Sequence, residues 1–236
     1  MAILTEVRRL DHVALWVAGR DTIADFTIAH LGMHVIDRTD RFTLIGADAR
    51  RGKLTLFEAP GPRERGVLEQ VGLRVSDLDS AVAELPARLE LARSDGAVSF
   101  GLPEGLQLGL VEAPTDVEYD LDHVGLLAVD PERAAEAWLP LGFAPAVPGP
   151  SGAPRVEVGG AFLELRRGSP GEAERPLLNH LGVLVDSADE WRAHAEHLGV
   201  EVADVVDAAN TYAVFVVGPE RVKLEYVEHK PSFSLT

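Results

Sequence analysis

L-D-H-V-G-L-L-A-V-D, residues 121–130, is written again as L-N-H-L-G-V-L-V-D at 178–186 and as L-D-H-V-A-L-W-V at 10–17. Each is a short apolar run of the kind a buried strand requires. A fourth copy, L-E-Q-V-G-L-R-V at 68–75, carries Gln where the others carry His. The third position of the four copies is thus His12, Gln70, His123 and His180, recurring at intervals of about 55 residues, the length of one supersecondary unit.

The segment after each copy is repeated as well. A helical stretch comes next, opening at R-D-T-I, S-D-L-D, D-P-E-R or S-A-D-E; these openings are capping or acidic residues, and three of the stretches close on Leu-Gly. Short strand-like runs come after the helix, and each unit ends on an alternating strand: K-L-T-L-F-E, L-Q-L-G-L-V-E, F-L-E-L-R-R and V-K-L-E-Y-V-E. The pattern predicts an α+β fold of four βαβββ modules. Turn-rich joins lie at 60–66, 112–120 and 167–176, and dividing at the middle one predicts two domains, 1–115 with modules one and two and 116–236 with modules three and four.

The chain has 236 residues, 46% hydrophobic and 25% charged, which fits a folded domain pair and sets disorder aside. A formal charge of −16 repels phosphate backbones and anionic lipid, so neither nucleic acid nor a membrane is an expected partner. There is no cysteine, so any metal must be held by nitrogen and oxygen ligands. The opening M-A-I-L-T-E-V-R-R-L-D has neither a signal-peptide nor a transmembrane pattern, and the protein is expected in the cytoplasm.

Alternation along a strand sends His123, Gly125 and Leu127 to one face and Val124, Leu126 and Ala128 to the other; His180, Gly182 and Leu184 oppose Leu181, Val183 and Val185 in the same way. A helix covers the all-apolar face, so each histidine points into a concave side. The neighbour two along is always small: Ala14, Gly72, Gly125 or Gly182. On the closing strands the matching positions are Thr55, Gln107, Glu164 and Glu225. Modules three and four then offer His123, Glu164, His180 and Glu225, a set suited to a divalent cation; modules one and two offer His12, Thr55, Gln70 and Gln107, which suit one poorly. The expectation is one metal site within 120–230 and one degenerate cup within 10–113.

This repeat, with His on its first strand and Glu on its last, resembles the vicinal oxygen chelate superfamily of glyoxalase I, extradiol dioxygenases, epimerases and bleomycin resistance proteins. The resemblance implies two cupped sheets and a small-molecule substrate that presents two neighbouring oxygens to a divalent metal. The reading placed first is an extradiol-type dioxygenase with His123, His180 and Glu225 on Fe(II), and with Glu225 and Tyr212 as the catalytic residues. The second is a glyoxalase- or epimerase-type enzyme with Glu164 as a fourth ligand to Ni, Co, Zn or Mn. The third is a non-catalytic binding protein of the resistance kind. Monomer and homodimer both remain open.

Overall fold

The computed structural model describes residues 6–94, 96–149 and 151–236. The four modules are present. Module one is β1 (Val7–Val17), α1 (Arg20–His30), β2 (His34–Arg38), β3 (Phe42–Gly46) and β4 (Lys53–Glu58). Module two is β5 (Leu68–Val75), α2 (Leu78–Ala83), β6 (Ala92–Ser94), β7 (Ala97–Gly101) and β8 (Gln107–Glu112). Module three is β9 (Asp120–Ala128), α3 (Pro131–Trp138), β10 (Ala144–Ala146), β11 (Arg155–Val158) and β12 (Ala161–Arg167). Module four is β13 (Leu178–Val185), α4 (Ala188–Leu198), β14 (Val202–Asp207), β15 (Thr211–Val217) and β16 (Lys223–His229). The α+β expectation is met by two eight-stranded mixed sheets. Among the described residues no helix is long and apolar enough to cross a membrane.

The helices begin where capping chemistry allows. The Asp77, Asp130 and Ser187 side chains accept the backbone N–H groups of Ser80, Arg133 and Glu190. Gly199 ends α4 in the left-handed region at φ 72°, which only glycine adopts without cost. The face of each first strand turned to its helix is dry: Val13, Leu15, Val124, Leu126, Leu181 and Val183 are all fully buried.

The expected division into residues 1–115 and 116–236 is corrected by the sheets. One sheet runs β14-β15-β16-β13-β1-β4-β3-β2 and joins module four to module one; the other runs β10-β11-β12-β9-β5-β8-β7-β6 and joins module three to module two. At each centre two first strands pair antiparallel, β1 with β13 and β5 with β9. The join at 112–120 therefore links two halves of one sheet. The joins at 60–66 and 167–176 cross between the sheets side by side, tied by Glu64 N–H to the Arg175 carbonyl at 2.9 Å and Leu177 N–H to the Glu64 carbonyl at 2.7 Å. All three joins are short turn-rich segments, so their composition does not distinguish a crossing from a link within a sheet; the pairing of first strands does.

Candidate metal centre

The pairing of β1 with β13 brings module one's histidine to module four's. His12 Nε2 lies 3.0 Å from His180 Nε2, and Glu225 Oε2 on β16 stands 2.9 Å from each of them. All three residues are buried, and they form the one group of three or more potential metal-binding side chains among the described residues.

Local backbone defects aim these rings. In the β1/β13 ladder Leu10 pairs with Val183 but His12 with Gly182, and Ala14 pairs with His180 but Leu15 with Leu178. Asp11 and Asn179 are thus extra residues in their strands, and such a bulge turns the extra side chain toward its neighbour's face. Asp11 Oδ2 lies 2.9 Å from His12 Nδ1, and Asn179 Oδ1 lies 3.0 Å from His180 Nδ1. These oxygens accept only, so each Nδ1 carries a proton and donates it, leaving each Nε2 for the centre of the cup. The small neighbour anticipated on this face has a direct use: a Cβ on Gly182 would fall 2.2 Å from His12 Cε1.

Two imidazole nitrogens and a carboxylate oxygen at such distances need a positive charge among them. In the metal-free protein a proton supplies it. Burial disfavours a charged His12, but Glu225 and Asp11 outweigh burial and raise it to about 9. Burial likewise opposes ionisation of Glu225, yet the two histidines hold it well below the usual carboxylate range. His180 is pushed down, chiefly by burial. A divalent cation fits the same three atoms. Ligands about 2.1 Å from a metal on mutually perpendicular bonds stand about 3.0 Å apart, against about 3.4 Å for tetrahedral bonds, and the observed edges of 2.9, 2.9 and 3.0 Å match the octahedral face.

Behind His12, Lys53 Nζ holds Asp11 at 2.9 Å and the Ala49 carbonyl at 2.8 Å. Burial of Asp11 is outweighed by Lys53 and the neighbouring histidines, which keep it ionised well below its ordinary range. In front, His180 meets Phe215 edge-on at 5.1 Å and Phe57 at 6.1 Å, and Phe57 continues to Trp16 at 5.3 Å and Phe42 at 5.7 Å. A cavity of ≈ 550 Å³ bordered by Trp16, Asn179, Lys223 and the 170–174 segment opens beside this wall.

Three of the expected site residues are corrected. His123 lies in the other sheet, where its Nδ1 meets Asp122 Oδ2 at 2.9 Å and its Nε2 lies 3.1 Å from the Gln70 side-chain amide nitrogen. Glu164 is taken by two guanidinium groups, Arg155 Nε and Arg166 Nε, both at 2.7 Å; burial is outweighed and its carboxyl is lowered. Tyr212 points away from the cup, donating its hydroxyl to Asp189 on α4 at 2.8 Å, while its neighbours Ala213 and Phe215 pair with cup-facing Val227 and Glu225. His180 and Glu225 do meet, with His12 as their partner. The residue before each histidine, in L-D-H, L-D-H and L-N-H, carries an acceptor for Nδ1, a signal that His123 shares and that therefore marks an oriented imidazole without selecting the ligands.

A family model described as the Glyoxalase/Bleomycin resistance protein/Dioxygenase superfamily matches residues 9–226. No curated protein sequence matches the chain. Among solved structures it is similar to a "putative dioxygenase" from Bacillus subtilis, with a TM-score of 0.79 and 16% identity over 97% of this chain and 87% of that one. Glyoxalase I from Zea mays superposes with a TM-score of 0.71 at 15% identity, covering 93% and 92% of the two chains. The cppA protein from Streptococcus pneumoniae does so at 0.63 and 14%, covering 96% and 100%. At these identities the likeness is one of fold.

Proposed function

This chain belongs to the glyoxalase/bleomycin resistance protein/dioxygenase superfamily, and on that premise we propose that His12, His180 and Glu225 hold a catalytic divalent metal, Fe(II) first, in an extradiol-type dioxygenase acting on a small substrate with vicinal oxygens. The observation that carries this reading is the triangle of two Nε2 atoms and one carboxylate oxygen with edges of 2.9 to 3.0 Å. Two histidines and one carboxylate on a single face are the set that leaves positions free for substrate and O₂. When bound, the metal supplies Lewis acidity toward the substrate oxygens.

The chain's own groups have distinct tasks. Glu225 supplies the charge that offsets the cation, and with both histidines on its Oε2 it acts as a ligand. Asp11 and Asn179 fix the two imidazoles, and the wall of Phe57, Phe215 and Trp16 excludes water and offers a flat apolar surface to the ring of a substrate. His12 gives up its Nε2 proton as the cation enters. Thr55 stands at the fourth inward position, where a two-His, two-Glu isomerase centre would need a second carboxylate; this favours the oxygenase over the glyoxalase- or epimerase-type alternative. Metal analysis of protein purified without chelator, joined to oxygen uptake with simple catechols, tests the reading. Iron near one per chain with oxygen consumption is expected, lost in His180→Ala and Glu225→Ala and kept in His123→Ala. Unchanged metal content in the first two variants would overturn it.

A further inference from the structure

A smaller cavity, of ≈ 210 Å³, lies at the seam between the sheets. Its polar lining consists of Arg8 and Arg9 of β1, Arg51 from the turn before β4, Arg74 of β5 and Asp120 of β9. Four arginines lining one small cavity is an uneven placement in a chain of net charge −16. Their ion-pair partners leave donors over. Arg8 pairs with Asp186 at 2.5 Å, and Arg51 pairs with Asp116 and, at 3.8 Å, with Asp120 of the cavity itself; Asp186 and Asp116 are both exposed. Arg74 reaches Asp122 at 3.4 Å and the Gly160 carbonyl, yet its buried Nε–H has no acceptor. The Arg9 side chain makes no ion pair or hydrogen bond among the described residues, and its charge reaches Asp116 and Asp120 only from a distance. The one acid in the lining, Asp120, is pushed up by burial against the pull of Arg51, Arg74 and Arg9, and it is a single carboxylate among four arginines.

We propose that this seam is a binding site for a small tetrahedral oxyanion of the phosphate class, held chiefly by Arg9 and Arg74. The guanidinium fork matches phosphate oxygens two at a time, and a cavity of this size has room for the ion together with several waters of about 30 Å³ each. The arginines come from modules one and two, and β9 and the 159–161 turn of module three close the cavity. The bound ion therefore ties the two sheets together. The site shares no residue with the His12, His180 and Glu225 triangle, and its test is independent of metal loading.

Calorimetric titration of the full chain with inorganic phosphate, at an ionic strength held constant with chloride, measures it. One saturable site is expected, competed by sulfate. Arg9→Gln weakens it by about tenfold, the worth of one charge-assisted contact, and Arg9→Lys lies between the two. Arg93→Gln, on the exposed strand β6, leaves it unchanged and serves as the charge control. Absence of saturable heat above the chloride baseline overturns the proposal. Equal losses in the Arg9 and Arg93 variants do so too, since that would reduce the effect to net charge. Arg9→Gln has no ion pair to break, so it is expected to fold, and far-ultraviolet circular dichroism verifies this.

Discussion

The two cups are built from the same parts, and among the described residues only one brings three potential metal ligands together. Where module one places His12 against module four, module two places Gln70 against module three, and the Gln70 amide lies against the nitrogen of His123 that a metal would use. The second difference lies beside the carboxylate. Glu225 pairs across the sheet with Phe215 and is followed two residues on by Val227, so its charge goes to the histidines. Glu164 pairs across with Arg155 and is followed by Arg166, and both arginines claim it. A ligand in the right register is therefore not enough, because its neighbours decide whether its electron pairs are free.

Exchanging one residue between the cups should have the largest effect. His12→Gln gives the cup of His180 and Glu225 the donor set of its counterpart, and on the proposed function metal content by elemental analysis should fall from about one per chain to background. Gly182→Ala comes next. Its methyl would meet the His12 ring at 2.2 Å, whereas at Gly125, the matching position of the other cup, the nearest atom is the end of the Glu69 side chain at 3.2 Å. Metal affinity should drop by about a hundredfold in the first, as expected for a displaced ligand ring, and stay near wild type in the second.

Asp11→Asn tests the support behind the histidine. It keeps the hydrogen bond but removes the charge facing buried Lys53, and competition with a chelator should show about tenfold weaker metal binding. Asp122→Asn, beside His123, should show no change.

The metal-free protein should also reveal the trapped proton. His12 is raised from 6.5 to about 9, so its contribution to stability is complete below about pH 6.5 and is lost as pH rises through 9. Glu225 is lowered, so its contribution is complete above the ordinary carboxylate range and is lost progressively as pH falls below that range. Denaturant melts of chelated protein should accordingly show lower stability at pH 10 than at pH 7, and His12→Gln should flatten that decline. The smallest effect is the converse exchange. Gln70→His with Arg155→Phe and Arg166→Val frees His123 and Glu164, and weak metal binding at a second site, read by calorimetry, is the expected gain.

Much of this was legible in the chain. The module count followed from one repeated strand, the inward face from alternation, and the small residue two places along from the room an imidazole needs; a Cβ on Gly182 or Gly72 would indeed fall 2.2 Å from the ring opposite. His180 and Glu225 were placed on inward faces from period-two alternation alone. His123 and Glu164 satisfied the same tests and were misjudged, because alternation fixes which way a side chain points within its strand and is silent about which strand lies beside it. Alternation puts Arg166 on the face of Glu164, but the claim of Arg155 on that carboxylate depends on the register of the β11/β12 hairpin, which alternation does not set.

The sequence by itself determined the modules, the strand faces, the absence of thiolate ligands and the kinds of donor each module offers, since these come from backbone periodicity and side-chain chemistry along a single stretch of chain. Only the tertiary structure decided that module one meets module four. That choice is made by antiparallel pairing of first strands far apart in the chain, a non-local contact to which the short turn-rich joins give no clue, and on it depends which histidine stands 3.0 Å from His180.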